Sequence, residues 1–247
     1  MNMVDRIPEF MGMAFSQLKH GRPAPVLLEF PGDVAHAEVS DSAIDNYQPV
    51  KAYKSGASPE DVRDMVTALL GADYPVINAG QGVLYAEATD DLVEFAELTN
   101  IPVLTTLAGK SGFPEDHPLA LGTGASTMTL MSHRALQKAD FVLGLGTSFT
   151  ISNFNASMPA GVTLGQVTNA GEDLNKDHRI DFGAVGDAKL VLRQMIEEAK
   201  SQLGEHGRGD VHSVRDNIAN DNKDFYEQWN PYLNSDEVPI SPYRVFT

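Results

Sequence analysis

The chain has 247 residues, 42% of them hydrophobic, with 34 acidic against 18 basic residues and a formal charge of -16. Length and apolar content allow a full core, whereas the acidic balance argues against nucleic acid and anionic membrane surfaces as partners. Cysteine is absent, which removes disulfides, thiolate nucleophiles and thiolate metal sites; with no apolar run behind a basic opening segment, the chain reads as a soluble, cytoplasmic protein.

In chain order, Ile7, Phe10, Met11, Ala14, Phe15 and Leu18 recur on one helical face that ends near Gly21. The run APVLLEF then reads as a buried strand closed by Pro31 and Gly32. This helix and strand have nothing upstream to pair with, so residues 1–34 are expected to be the end of a longer domain. Asp33–Lys54 is polar and without period, a linker spread over a surface. Ser58, Pro59, Glu60 and Asp61 make a capped helix start that runs to Gly71, with Val62, Met65, Val66, Leu69 and Leu70 inward.

The stretch PVINAGQG follows, a short buried strand stopped by a glycine turn. Thr89 is placed to cap a helix that carries Asp90 and Asp91 in its first turn and Leu92, Phe95, Ala96 and Leu98 on its apolar side. With IPVLTT after it, this is a strand, helix and strand unit, which is parallel, right-handed and open to ligands at the carboxyl ends of its strands. AGKSGFPEDHPLALGTGAST reads as a long irregular loop. A helix over Ser126–Lys138, strands at FVLGLG, at 162–167 and at 180–185, and a helix from Asp187 to Leu203 complete the pattern. Five or more strands alternating with helices predict an open, doubly wound α/β sheet, mostly parallel and Rossmann-like. Residues 204–221 read as a second linker, and SPYRVF as a helix start that the sequence does not use.

Single motifs give little chemistry. Gly80-Gln81-Gly82 lacks the third fingerprint glycine, whose place Tyr85 takes, and Gly109-Lys110-Ser111 lacks the first glycine of a phosphate loop. Asp173, Asn175 and Asp177 have calcium-loop spacing, but His178 stands at the glycine position and Ala184 at the glutamate position. His117 and His178 sit in polar loops without metal-ligand spacing, and no nucleophile-elbow serine occurs.

The ordered set RPAPVLLEFPGDV, PVINAGQGV, ELTNIPVLTTLAGKSGFPEDHPLALG, KADFVLGLGTSF and VGDAKLVLRQM resembles the thiamine diphosphate-dependent enzymes of the acetolactate synthase type. The resemblance divides the chain into the end of a pyrimidine-binding domain (1–34), a linker (35–57), a central domain (58–203), and a linker with the start of a diphosphate-binding domain (204–247). It implies decarboxylation or carboligation of a 2-oxo acid, with thiamine diphosphate and magnesium held in the parent enzyme, a homo-oligomer, by parts this chain lacks. The chain alone is then expected to be inactive. In some relatives the central domain holds FAD or ADP, and by resemblance the contacting positions are Gly80, Gln81 and Gly82, then Thr105, Thr106 and Leu107, then Gly146 and Thr147. Asn169 stands where the flavin enzymes place a carboxylate, so a vestigial site is the competing expectation. The alternative readings are a stand-alone FAD- or ADP-binding module and an NAD-dependent dehydrogenase or deacylase. Phe10, Phe15, Val26, Leu27 and Leu28 are expected to leave an apolar patch on the chain alone.

Overall fold

The computed structural model describes residues 1–204 and 206–246. The segment expected at 204–247 thus includes Glu205 and Thr247, which lie outside the described residues. Two compact units are present, Met1–Ser55 and Gly56–Thr247.

In the first unit, helix α1 (Ile7–Lys19) forms as its periodicity predicts, with Ala14 buried. The strand expected at APVLLEF does not form: residues 24–30 have no strand pairing, and Leu27 is 86% exposed. β-branched and aliphatic residues favour a pleated, half-buried surface, and without a neighbouring strand that preference has nothing to act on. The linker expected at 33–54 contains two single-turn helices, α2 (Gly32–His36) and α3 (Asp41–Asp45), the latter capped by Ser40 accepting from Ala43 N at 3.3 Å. The Lys19 ammonium donates to Val50 O at 2.9 Å, and the ring of His20 stacks with Tyr53.

The second unit is a six-stranded, wholly parallel sheet. Helix α4 (Pro59–Gly71) buries Val62, Met65, Val66 and Leu69. Ser58 stands at its N-cap without a side-chain hydrogen bond, so proline at the first position and the acidic first turn carry the start. Strand β1 (Pro75–Ala79) is buried throughout and leads into a short helix, α5 (Gln81–Tyr85), which the sequence pattern does not reveal. Helix α6 (Thr89–Thr99) takes Thr89 as its first residue and Ala88 as its cap position. It ends on left-handed Asn100 (φ 50), a conformation asparagine tolerates better than most residues.

Strand β2 (Val103–Thr105) follows, and β3 (Ala120–Thr123) arises inside the stretch expected to be an irregular loop. Helix α7 (Leu130–Lys138) starts later than expected because Thr129 caps it, accepting from Ser132 N at 3.2 Å. Strands β4 (Phe141–Leu145), β5 (Thr163–Thr168) and β6 (Phe182–Val185) precede helix α8 (Ala188–Leu203), capped by Asp187. The polar region after residue 203 contains a 20-residue helix, α9 (Val214–Leu233), followed by a 3-10 turn over Pro242–Phe246.

The strand order is β3-β2-β1-β4-β5-β6. The chain winds outward to β3, returns to lay β4 against β1, and winds outward again, so the topological switch lies between β1 and β4. On one face Ile77, Ala79, Val103, Leu143, Leu145 and Val167 meet α4, α6 and α8 around Phe95, Met65 and Leu69, all three fully buried. Each large apolar side chain taken wholly out of water contributes about 1.5–3 kcal/mol before entropy. The other face presents Val76, Leu104, Val142 and Leu164 to α7 and to Ile218 of α9.

Candidate functional site

The eight positions singled out in the sequence come together at the carboxyl ends of the three adjacent strands β2, β1 and β4, around the topological switch. Gly80 follows β1 directly, and its amide donates to Leu145 O of β4 at 2.8 Å. The Gly82 amide donates to Gly146 O at 2.9 Å, and the Gly146 amide donates to Val167 O at 2.9 Å. Thr106 closes the β2 side, with its amide on Ala79 O at 2.9 Å and its hydroxyl accepting from Gly109 N at 3.0 Å. The ends of the strands are thus stitched to one another through backbone groups.

That stitching explains why these residues are glycine. A methyl group added at Gly82 would come within 2.7 Å of Gly146 Cα, and one added at Gly146 within 2.8 Å of Val83 N. At Gly80 it would collide with Gly146 O. Gly146 is also left-handed (φ 62), where a Cβ is strained whatever the space. Side-chain space at all three is filled by the chain's own backbone, so their identity follows from packing without any ligand. Gln81 and Leu107 are exposed, and Gly146 and Thr147 are half-buried. None of the eight positions carries a group that titrates near neutral pH, so this cluster has no acid or base with which to move a proton. Asn169, just beyond β5, is exposed.

Two buried amides lie next to these turns, at positions the sequence motifs do not mark. Asn78 and Gln166 are 2% and 0% exposed, and among the described residues Asn78 Oδ1 and Gln166 Oε1 accept no hydrogen bond; the Thr105 hydroxyl is likewise unpartnered. Asn78 pairs with Gly144, which pairs with Gln166, so both amides share the sheet face that holds α7. Gly144 leaves a gap between them, which the ring of Phe149 fills. The Gln166 amide nitrogen donates to Thr147 O at 3.0 Å, tying this pair to the glycine turns. The available signal was a lone carboxamide in each of two strands, PVINA and TLGQVT. A buried acceptor without a donor costs about 1–3 kcal/mol, and clusters of them occur where a water or ligand supplies the donor.

For the cofactors implied by resemblance, the fit is uneven. Among the described residues no group of three His, Asp or Glu side chains is placed to hold a metal ion. For a dinucleotide, the glycine turns face their own backbone; of the three unpartnered groups, Asn78 and Gln166 lie on the sheet face that holds α7, whereas Thr105, paired with Ala79, lies on the opposite face, so no single ligand group meets all three. No helix among the described residues is long and apolar enough to cross a membrane.

The family model described as "Thiamine pyrophosphate enzyme, central domain" matches residues 62–195. The chain is 33% identical over 248 residues to the glyoxylate carboligase of Escherichia coli O157:H7, covering 97% of this chain and 40% of that one. It is 33% identical over 197 residues to an acetolactate synthase of Mycobacterium bovis, covering 78% of this chain and 32% of that one. The sequence therefore spans two fifths or less of these curated relatives. The crystal structure of benzoylformate decarboxylase from Polynucleobacter necessarius shares the fold, with a TM-score of 0.68 at 23% identity over 80% of this chain and 37% of that one.

Proposed function

Because the chain belongs to the thiamine pyrophosphate enzymes through their central domain, we propose that it is the central-domain portion of a thiamine diphosphate-dependent 2-oxo acid decarboxylase or carboligase. In this reading it has an architectural role, contributing a rigid α/β layer to a homo-oligomeric enzyme. Its flanking residues, 1–34 and 204–247, belong to the pyrimidine-binding and diphosphate-binding parts. Thiamine diphosphate and magnesium supply the carbanion chemistry in the whole enzyme, and this chain's own residues neither hold them nor move a proton. The observation that carries the reading is the candidate site itself: eight positions at the switch point, of which Gly80, Gly82, Thr106 and Gly146 spend their amides on neighbouring backbone carbonyls, and none of which has an ionisable side chain.

The test is direct. The purified chain, supplied with thiamine diphosphate, magnesium and either pyruvate or glyoxylate, is expected to release no carbon dioxide above the cofactor-only background. Sustained turnover would overturn the architectural reading.

The unpartnered acceptors Asn78 Oδ1 and Gln166 Oε1, which share one sheet face, favour one second reading, in which the same domain binds FAD or ADP at Gly80–Gly82, Thr105–Leu107, Gly146 and Thr147. Calorimetric titration separates the two. Saturable binding of FAD or ADP that is lost in Gln166→Met supports a nucleotide-binding domain, and a flat titration leaves the architectural role alone.

A further inference from the structure

At the opposite end of the sheet from the glycine turns, a cleft opens between α7, α9 and the amino ends of β1 and β2. Its floor is apolar, made by Val76, Leu121, Met131, Ala135, Val214 and Ile218. Its volume is about 80 Å³, room for several water-sized groups when one takes roughly 10–15 Å³ on the same measure. One wall is the ring of Tyr74 stacked on His212, with centroids 4.5 Å apart and planes within 16°. His212 and the next residue, Ser213, are both left-handed (φ 62 and 49). Consecutive non-glycine residues in that region are uncommon, and such conformations gather at binding sites.

The charges on the rim are unevenly matched. Arg134 is held by Asp221 and, at 2.9 Å, by Asp224, both on α9. The Asp140 carboxylate is occupied by the amides of Asp73 and Tyr74, at 2.7 and 2.8 Å. Among the described residues the Arg208 guanidinium donates one hydrogen bond, to Ala72 O at 2.7 Å. Burial lowers the pKa of its guanidinium, partly countered by Asp140 and Asp73, which attract it through space. Lys138, in the last turn of α7, makes no ion pair among the described residues. Two cations with donors to spare thus border an apolar floor, with the Asp73 carboxylate beside them.

We propose that this cleft binds a small amphipathic monocarboxylate, its hydrocarbon part on the floor and its carboxylate on Arg208 and Lys138. A single negative charge fits better than a phosphate dianion, because Asp73 and Asp221 line the same rim. A guanidinium fork pairs with a carboxylate in two parallel hydrogen bonds, which recovers what Arg208 loses on burial. The cleft lies at the amino ends of the strands, so its ligand is independent of the architectural reading and of any nucleotide at the carboxyl ends.

Ligand-observed NMR and calorimetry on the chain, with isovalerate and phenylacetate as probes and phenylacetamide as the neutral control, test this. Both carboxylates are expected to bind saturably, at least about tenfold more tightly than the amide, since charge-assisted hydrogen bonds are about twice as strong as neutral ones. Lys138→Gln, at an exposed position, is expected to weaken phenylacetate about fivefold. Ala135→Leu, which fills the floor, is expected to abolish its binding. Carboxylates that bind no better than the amide, or at wild-type strength to Lys138→Gln, overturn the proposal.

Discussion

The two ends of strands β1 and β4 are only five residues apart, yet they are finished in opposite ways. At the carboxyl end, glycines let backbone meet backbone, and the amides of Gly80, Gly82 and Gly146 are satisfied within a few residues of the sheet. At the amino end, segments far apart in sequence converge on a cleft, and charged side chains stand on its rim with unequal pairing. A glycine-rich strand end is therefore a poor guide to where this domain has room. The closed end is the one with the motif, and the open end has none.

The largest effect that sharpens this contrast belongs to Gly146→Ala. Left-handed backbone strain adds to a clash with Gly82 and Val83, and the expected loss is about 3 kcal/mol or more in urea unfolding. Gly161→Ala, also left-handed (φ 77) but with nothing within 4 Å of the added carbon, is expected to lose only about 1 kcal/mol. Equal losses would mean that conformation, not closure, explains the glycine turns.

At the open end, Ile218 is the one buried residue among the described residues of α9, so Ile218→Ala is expected to cost about 2 kcal/mol. Amide exchange should then speed up along α9 well before it does in α8, which buries six side chains. An unchanged exchange pattern would show that α9 is held by something other than this contact.

Asn78→Leu tests whether the closed end is dry. Removing an unsatisfied buried acceptor and keeping the shape is expected to raise stability by about 1 kcal/mol. A loss of similar size would reveal a bound donor between β1 and β4. The smallest effect is reserved for Arg134→Ala. Of its carboxylate partners on α9, Asp224 is exposed and Asp221 half-buried, and the unfolding midpoint should move by no more than a few tenths of a kcal/mol's worth in 1 M salt, where pairs open to solvent are largely screened. Faster exchange in α9 at low salt alone would place the clasp's contribution there.

Much of the second unit was legible because its elements bury continuous or periodic apolar runs: PVINA, FVLGL and the stripes of α4, α6 and α8 announce themselves. What escaped was decided by context. Strand β3 is a four-residue edge strand that pairs only with β2, across a register shift, inside a glycine- and proline-rich stretch. Helix α9 has a single buried side chain and hence no stripe to read. APVLLEF has strand-like residues but no partner strand, and propensity does not supply one. At the candidate site, the positions were legible as the turn after each strand, whereas the reason for the glycines was not. That reason is a contact between residues 82 and 146, and local spacing carries no trace of it.

The ladder between β1 and β4 runs in register from Pro75 with Phe141 to Ala79 with Leu145. It joins two halves of the sheet, β1-β2-β3 and β4-β5-β6, whose other strand pairs each form within their own half. Those local crossovers close short loops, whereas the central ladder must wait for a much longer segment to return. Loop closure thus favours the ladder between β1 and β4 as the last to form, and the contact of Gly82 with Gly146 sits at the end of that seam, where the two halves of the sheet are fastened to each other.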